Sequence, residues 1–206
     1  MSKRKANNGW MARHVNDNYV RQSIADGYRS RAAYKIIELN KKDKLFKPGM
    51  TVVDLGAAPG GWSQVASDCV GENGRIIALD LLQMDSFAQV EFIQGDFRED
   101  EIFDKLMKTL NGSSVDLVIS DMAPNITGQR VTDQPKSMYL VELALDFALQ
   151  VLKSGGDFVT KAFEGAGMAE YRKLVQSNFV KMYNRKPGSS RAESRELFIV
   201  GKGRKA

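Results

Sequence analysis

The sequence is short of the residues on which several chemistries depend. Its single cysteine, Cys69, excludes an internal disulfide framework, a cysteine-rich zinc site and an iron–sulfur cluster, and it fits a reducing compartment. Its single histidine, His14, cannot build a histidine-based metal centre and reads as a structural or surface residue, so no metal is expected. Long apolar runs are missing too. The most apolar stretch, Met138 to Leu152, is broken by Glu142, Asp146 and Gln150, and reads as a buried helix rather than a membrane span. The opening MSKRKANNGW is positively charged with no apolar segment behind it, which gives no secretory signal and makes the cytoplasm the expected location.

Acidic residues are scarce at both ends. Residues 1–47 hold twelve basic and four acidic side chains (+8), residues 48–180 ten and nineteen (−9), and residues 181–206 eight and two (+6). Basic ends on an acidic body make a local patch for a polyanion if the fold brings them together, and solvated tails if it does not. With 206 residues and 43% hydrophobic content, the chain supports one sizeable core and not two large domains.

The order of apolar segments predicts a basic flexible N-terminus over residues 1–15 and a single domain over 16–206. That domain includes an N-terminal helical extension, 16–47, divided at Gly27 and stopped by Pro48–Gly49. Strands are expected at Thr51 to Leu55, Arg75 to Asp80, Val90 to Gly95, Val115 to Ser120 and Asp157 to Ala162. Helices are expected at Trp62 to Cys69, Glu99 to Leu110, Lys136 to Leu152 and near Met168 to Phe179. Runs such as VVDL, IIALD and DLVIS suit strands buried on both faces, hence a doubly wound, mostly parallel α/β sheet. The short loop KPGSSRAESR between the last two strands, Val180 to Arg185 and Glu196 to Gly201, allows only an antiparallel return.

In such sheets ligands bind beyond the carboxyl ends of the strands, where Asp54, Asp80, Asp96 and Asp121 fall. The first strand runs into LGAAPGGWS, whose Gly56, Gly60 and Gly61 permit a sharp turn, but the spacing is not the G-x-G-x-x-G of a pyrophosphate site. A zwitterionic amino-acid tail fits such a loop better. Asp80, twenty-four residues after Gly56, suits both hydroxyls of an unphosphorylated ribose; Asp96 could accept from an adenine amino group, and Trp62 could supply an apolar wall. Each carboxylate alone is more often a cap or turn residue; their ordered recurrence points to an adenosine site.

The segments GYRSRAAYKI, DLGAAPGGWSQ, QGDF, SDMAPN, MYLVELAL, DFVTKAF and KPGSSRAESRE together resemble the FtsJ/RrmJ (RlmE) family of S-adenosylmethionine-dependent ribosomal RNA ribose 2′-O-methyltransferases. The resemblance implies a Rossmann-like seven-stranded methyltransferase sheet and S-adenosylmethionine contacted by Gly60, Trp62, Asp80, Asp96 and Asp121. It also implies a Lys-Asp-Lys-Glu tetrad at Lys35, Asp121, Lys161 and Glu196. The implied substrate is a uridine of 23S ribosomal RNA in the assembled 50S large ribosomal subunit, with the enzyme expected to be monomeric. A tRNA anticodon-loop ribose methyltransferase and a non-catalytic ribosome-assembly factor are the alternatives.

Several residues bear on that reading without the family. Lys161 interrupts the buried strand FVTKAF, where a lysine is disfavoured unless paired or functional. A lysine accepts a proton only when neutral; Lys35 would favour that form, and Asp121 and Glu196 would oppose it. Taken alone, Lys35 reads as a solvated helix charge and Glu196 as a surface residue, so their roles rest on the resemblance. DMAPN lacks the Pro-Pro-aromatic loop of amino-directed base methyltransferases, and Cys69 lies away from strands four and five, so no C5-directed nucleophile is available. A ribose hydroxyl is the acceptor left, and a 2′-hydroxyl means RNA. The expected RNA grip is Arg21, Arg29, Arg31, Lys41, Lys42 and Lys44 with Arg185, Lys186, Arg191 and Arg195, so that charge reversal at Arg29 and Arg31 weakens RNA binding alone.

Overall fold

The computed structural model describes residues 17–85, 87–191 and 193–206; His14 and the basic segment 1–15 lie outside these. In chain order the elements are α1 (Asn18–Ala25), α2 (Ala32–Asp43), β1 (Thr51–Leu55), α3 (Gly61–Val70), β2 (Arg75–Asp80), β3 (Val90–Gln94), α4 (Asp100–Leu110), β4 (Val115–Ser120), α5 (Arg130–Val151), β5 (Leu152–Phe163), α6 (Met168–Asn178), β6 (Phe179–Arg185) and β7 (Glu196–Arg204).

The β-branched runs VVDL, RIIALD and VDLVIS are buried on both faces and form the middle of a seven-stranded sheet ordered β3-β2-β1-β4-β5-β7-β6. β1 to β5 are parallel, and β7 runs antiparallel between β5 and β6. The fold is therefore the expected doubly wound, Rossmann-like sheet with an antiparallel end. From β1 the chain moves outward through β2 to β3 and then returns to lay β4 on the other side of β1. This reversal opens a crevice at the carboxyl ends of β1 and β4, where open α/β sheets bind ligands.

Two cores clamp the sheet. One face packs Phe158, Phe147, Leu145 and Phe97 beneath α4, α5 and α6; the other packs Val159, Phe198, Trp62, Ile36 and Leu39 beneath α2 and α3. Each such fully buried side chain contributes about 1.5–3 kcal/mol.

Two boundaries differ from the expectation. α5 starts at Arg130, because the buried Asp133 carboxylate accepts the Thr127 N–H at 3.1 Å, the Thr127 hydroxyl at 2.9 Å and the Gly128 N–H at 2.9 Å, folding the preceding loop onto the helix. Pro135 is carried inside that helix instead of marking its edge. β5 starts at Leu152, which pairs with Val115 before a register shift restores Leu117 to Asp157.

The two basic ends do meet, but through bonds that use up several of their cations. Glu38 of α2 accepts from Gly188 N–H at 2.6 Å and Ser189 N–H at 3.0 Å, and the Arg185 guanidinium pairs with Asp43 at 2.6 Å. Arg31 bonds the Asp17 carboxylate and the Ser189 carbonyl. Arg31 and Arg185 are therefore internal ties and not the RNA contacts expected from charge. Lys41, Lys42 and Lys44 are also misplaced for that role. α2 starts beside α3, where the Ala32 carbonyl accepts the Trp62 indole N–H at 2.9 Å, and runs away from the crevice toward the amino end of β1.

Among the described residues no helix is long and apolar enough to cross a membrane, and no group of three or more His, Cys, Asp or Glu could hold a metal ion.

Candidate active site

The loop after β1 is shaped by two glycines that need their missing side chains. Gly56 has φ +78°, and a Cβ there would stand 2.9 Å from the Met122 backbone nitrogen. Gly60 has φ +105° at the N-cap of α3, and a Cβ there would meet Met84 Sδ at 2.8 Å and Arg29 Cδ at 3.0 Å. Arg29 is fixed over this loop: its guanidinium stacks on Phe87 at 4.1 Å and donates to the Asp85 carbonyl at 2.6 Å. Like Arg31, it is an internal contact and not a free RNA ligand.

Strand-end acids converge beside the loop. Asp80 accepts Ala58 N–H at 2.9 Å on one oxygen and Leu82 N–H at 2.8 Å on the other. A carboxylate has about four acceptor positions, so each oxygen keeps one for a further donor such as a ribose hydroxyl. Asp96 accepts Arg98 N–H at 3.0 Å and pairs with that guanidinium, which holds its carboxyl below the usual range. The turn-residue reading holds for Asp96, and an adenine amino group would share it with Arg98.

Asp54 is the acid the sequence offered without a role. It is fully buried; Oδ2 accepts the Ser63 hydroxyl at 2.6 Å, while Oδ1 has no hydrogen-bond partner. Burial, with Asp121 and Asp80 nearby, pushes its carboxyl up to about 7. An orphaned buried oxygen flanked by two further acids favours a cationic guest.

Trp62 departs from the expectation. Its ring is 2% exposed, donates to the Ala32 carbonyl and packs on Phe198 at 5.6 Å, so it belongs to the core under α2 and forms no wall of the crevice. What Trp62 turns to the loop is its backbone N–H in the first turn of α3, one of the donors a helix leaves unpaired and a fit for a carboxylate.

The structure also brings Lys35, Asp121, Lys161 and Glu196 together. Lys161, 8% exposed near the end of β5, has its ammonium 3.0 Å from Asp121 Oδ1 and donates to the Asp121 carbonyl oxygen. Asp121 is positioned just past β4, its N–H donating to the Leu55 carbonyl at 3.1 Å. Lys35 of α2 lies 2.7 Å from Glu196 Oε1 and 2.8 Å from Oε2, where β7 begins. Both lysines approach Phe198, which faces Lys161 across the β5–β7 ladder and carries the Lys35 ammonium 5.6 Å from its ring centre. Each cation thus has its own carboxylate. Sequence reasoning missed the supports of Glu196: the Ser190 hydroxyl donates to Oε1 at 2.9 Å, and the Ser194 hydroxyl accepts the Glu196 N–H at 3.1 Å. The SSRAESRE run contained both serines, but only the folded loop shows that they converge on one acid.

Comparison with known proteins agrees with this geometry. Ribosomal RNA large subunit methyltransferase E of Marinobacter nauticus is 59% identical over 203 residues, covering 98% of each chain. The protein of that name from Cellvibrio japonicus is 55% identical over 203 residues, covering 98% of this chain and 96% of its own. A crystal structure described as a ribosomal RNA methyltransferase from Plasmodium falciparum superposes with a TM-score of 0.77 at 31% identity, over 86% of this chain and 98% of that one. The FtsJ-like methyltransferase model matches residues 28–204, which takes in the glycine loop, the strand-end acids and both lysine–carboxylate pairs, and the chain belongs to that family.

Proposed function

We propose that this protein is an S-adenosylmethionine-dependent ribose 2′-O-methyltransferase acting on a uridine of 23S ribosomal RNA in the assembled large subunit, as a cytoplasmic monomer that needs no metal. The observation that carries the reading is the convergence of Lys161–Asp121 and Lys35–Glu196 on Phe198, at the sheet end that also holds the glycine loop. The names of the relatives supply the substrate class.

The residues present fit the methyl donor. Gly60 and the first-turn N–H of Trp62 suit its amino-acid carboxylate, the free acceptor positions of Asp80 suit its ribose, and Asp96 suits its adenine. The orphaned Asp54 oxygen and the Asp121 carboxylate suit its positive charge. When bound, S-adenosylmethionine supplies a sulfonium methyl whose sulfur leaves as a neutral thioether.

The protein's own groups then have two tasks. Lys161 holds the 2′-hydroxyl oxygen and takes its proton as the new C–O bond forms, with the Asp121 carboxylate 3.0 Å away offsetting the charge gained. Lys35, fixed by Glu196, completes the polar surface on which the ribose rests. Alignment of bound reactants is worth up to about 7–11 kcal/mol of barrier, and a positioned base about 10²- to 10⁴-fold in rate.

Transfer of labelled methyl to purified 50S subunits, free 23S RNA and tRNA, followed by mapping of the modified nucleotide, tests the reading. Label at one ribose of the 50S subunit is expected. Label on tRNA alone, on a base, or on no RNA overturns it.

A further inference from the structure

Beyond the end of β5 the structure encloses a cavity of about 180 Å³ that none of the residues discussed for methyl transfer occupies. One water needs about 10–15 Å³ of such space, so the cavity is on the scale of a small planar ring rather than a solvent molecule. Phe163, two residues past Lys161, and Arg195, which precedes Glu196, form one side; Ile126, Gln134 and Ser137 form the other. Two residues of strand separate Phe163 from Lys161 by about 7 Å, the scale of one nucleoside.

Gln134 makes this cavity a polar site. Its side chain is 8% exposed, and Nε2 donates to the Phe163 carbonyl at 3.2 Å and the Ala166 carbonyl at 3.1 Å. Both partners are acceptors, so the amide orientation is fixed and the remaining atom is the oxygen. That Oε1 is buried and has no hydrogen-bond partner. An unpaired buried acceptor costs stability unless something donates to it. Ser137, 4% exposed, adds a hydroxyl, and Arg195, bound by one nitrogen to the Glu164 carbonyl at 3.1 Å, has further N–H groups to donate. Asp133 also borders the space, but its carboxylate already takes the Thr127 and Gly128 donors.

We infer that this cavity receives the base of the nucleotide being methylated, and that Gln134 reads it. The matching edge is a ring N–H flanked by carbonyl oxygens: Gln134 Oε1 accepts the N–H, while Ser137 and Arg195 donate to the carbonyls. Uracil has that edge. Cytosine presents a bare ring nitrogen to the same oxygen and is disfavoured, and a purine exceeds the space. Phe163 and Ile126 supply apolar contact. The inference rests on the RNA ribose methyltransferase reading above and adds to it a specificity-determining residue.

The test measures single-turnover methyl transfer and RNA affinity on substrates carrying uridine, cytidine or N3-methyluridine at the modified position. The wild-type protein is expected to favour uridine over both replacements by about 10- to 100-fold. Gln134→Met, which keeps the volume and removes the acceptor, is expected to erase most of that preference through weaker binding of the uridine substrate, with S-adenosylmethionine affinity unchanged. Ser137→Ala is expected to reduce the preference in part. If Gln134→Met fails to fold, the N3-methyluridine comparison on the wild-type protein and Ser137→Ala decide the matter. Equal rates on all three substrates, or an unaltered preference in folded Gln134→Met, overturn the base-reading role while leaving the methyltransferase reading standing. Absence of ribose methylation on every RNA overturns that reading instead.

Discussion

Lys35 and Glu196 are 161 positions apart in the chain and meet 2.7 Å apart at the mouth of the crevice. Each comes from an element outside the parallel core: Lys35 from α2, which precedes β1, and Glu196 from β7, which enters the sheet antiparallel. The pair ties the two basic ends of the chain to each other beside Lys161, and its 12% and 11% side-chain exposures put it in a setting where loss of one partner leaves a poorly hydrated charge.

Lys161→Met should abolish most turnover, by about 10²- to 10⁴-fold, while S-adenosylmethionine still binds. It also leaves Asp121 without its cation, so a melting curve should show a loss of up to about 3 kcal/mol. Single-turnover methyl transfer alongside calorimetric binding checks both, and near-normal turnover would falsify the assignment of the proton acceptor.

Glu196→Gln separates support from charge. The amide can still take the Ser190 hydroxyl bond seen at 2.9 Å but no longer balances Lys35. Turnover should fall less than in Glu196→Ala, with the difference in kcat rather than in cofactor affinity. Identical kinetics for the two variants would mean that geometry contributes nothing.

The Asp54 carboxyl, pushed up to about 7 by burial and by Asp121 and Asp80, gives a pH dependence of definite sign. Between about pH 4 and 7 the unfolded chain has released a proton that the folded protein keeps, so stability should decline as pH rises through that window. A cation bound beside Asp54 favours the carboxylate, so binding expels the proton and S-adenosylmethionine affinity should climb as pH rises to about 7, then level off. Calorimetry in two buffers of different ionisation heat would detect the released proton. Asp54→Asn should flatten both trends; an affinity in the parent that ignores pH would sink the idea.

Gly56→Ala should impair cofactor binding without touching any acid. The residue sits at φ +78°, and the added carbon would be 2.9 Å from the Met122 nitrogen, so the loop before Lys161's partner must move. A cost of about 1–3 kcal/mol in stability is expected, read by denaturant titration, together with weaker cofactor binding.

Arg31→Glu should act on folding before it acts on RNA. The guanidinium bonds Asp17 and the Ser189 carbonyl, and reversing it places a carboxylate against another. A loss of about 1–3 kcal/mol, or roughly 2–4 °C in Tm per kcal/mol, should accompany any loss of RNA affinity. Weakened RNA binding at unchanged Tm would restore Arg31 as a direct contact.

The parallel strands were legible because VVDL, IIALD and DLVIS are apolar on both faces, a pattern fixed by local composition. The start of α5 was not, because it depends on Asp133 reaching back to Thr127 and Gly128 across a loop with no apolar period. The strand-end acids followed from their place after each apolar run. Trp62 was misread because the direction of its ring is set by the docking of α2, a contact from elsewhere in the chain. Charge counting failed for Arg31 and Arg185 for the same reason: it registers a cation and cannot see the Asp17 or Asp43 that the fold sets against it.

The insertion of β7 between β5 and β6 has a consequence for how the chain is made. Synthesis delivers β1 through β5, and with them the glycine loop and Asp54, Asp80, Asp96, Asp121 and Lys161, before residue 196 exists. A nascent chain at that stage has the parts of a cofactor pocket, yet Lys161 lacks Phe198 opposite it and Lys35 lacks its acid. Meanwhile the free edge of β5 offers unpaired backbone groups to any passing strand. Arrival of residues 196–204 seals that edge and completes the polar cluster in one step, so the ribosome releases a competent catalyst only after the strand that silences its stickiest surface has emerged.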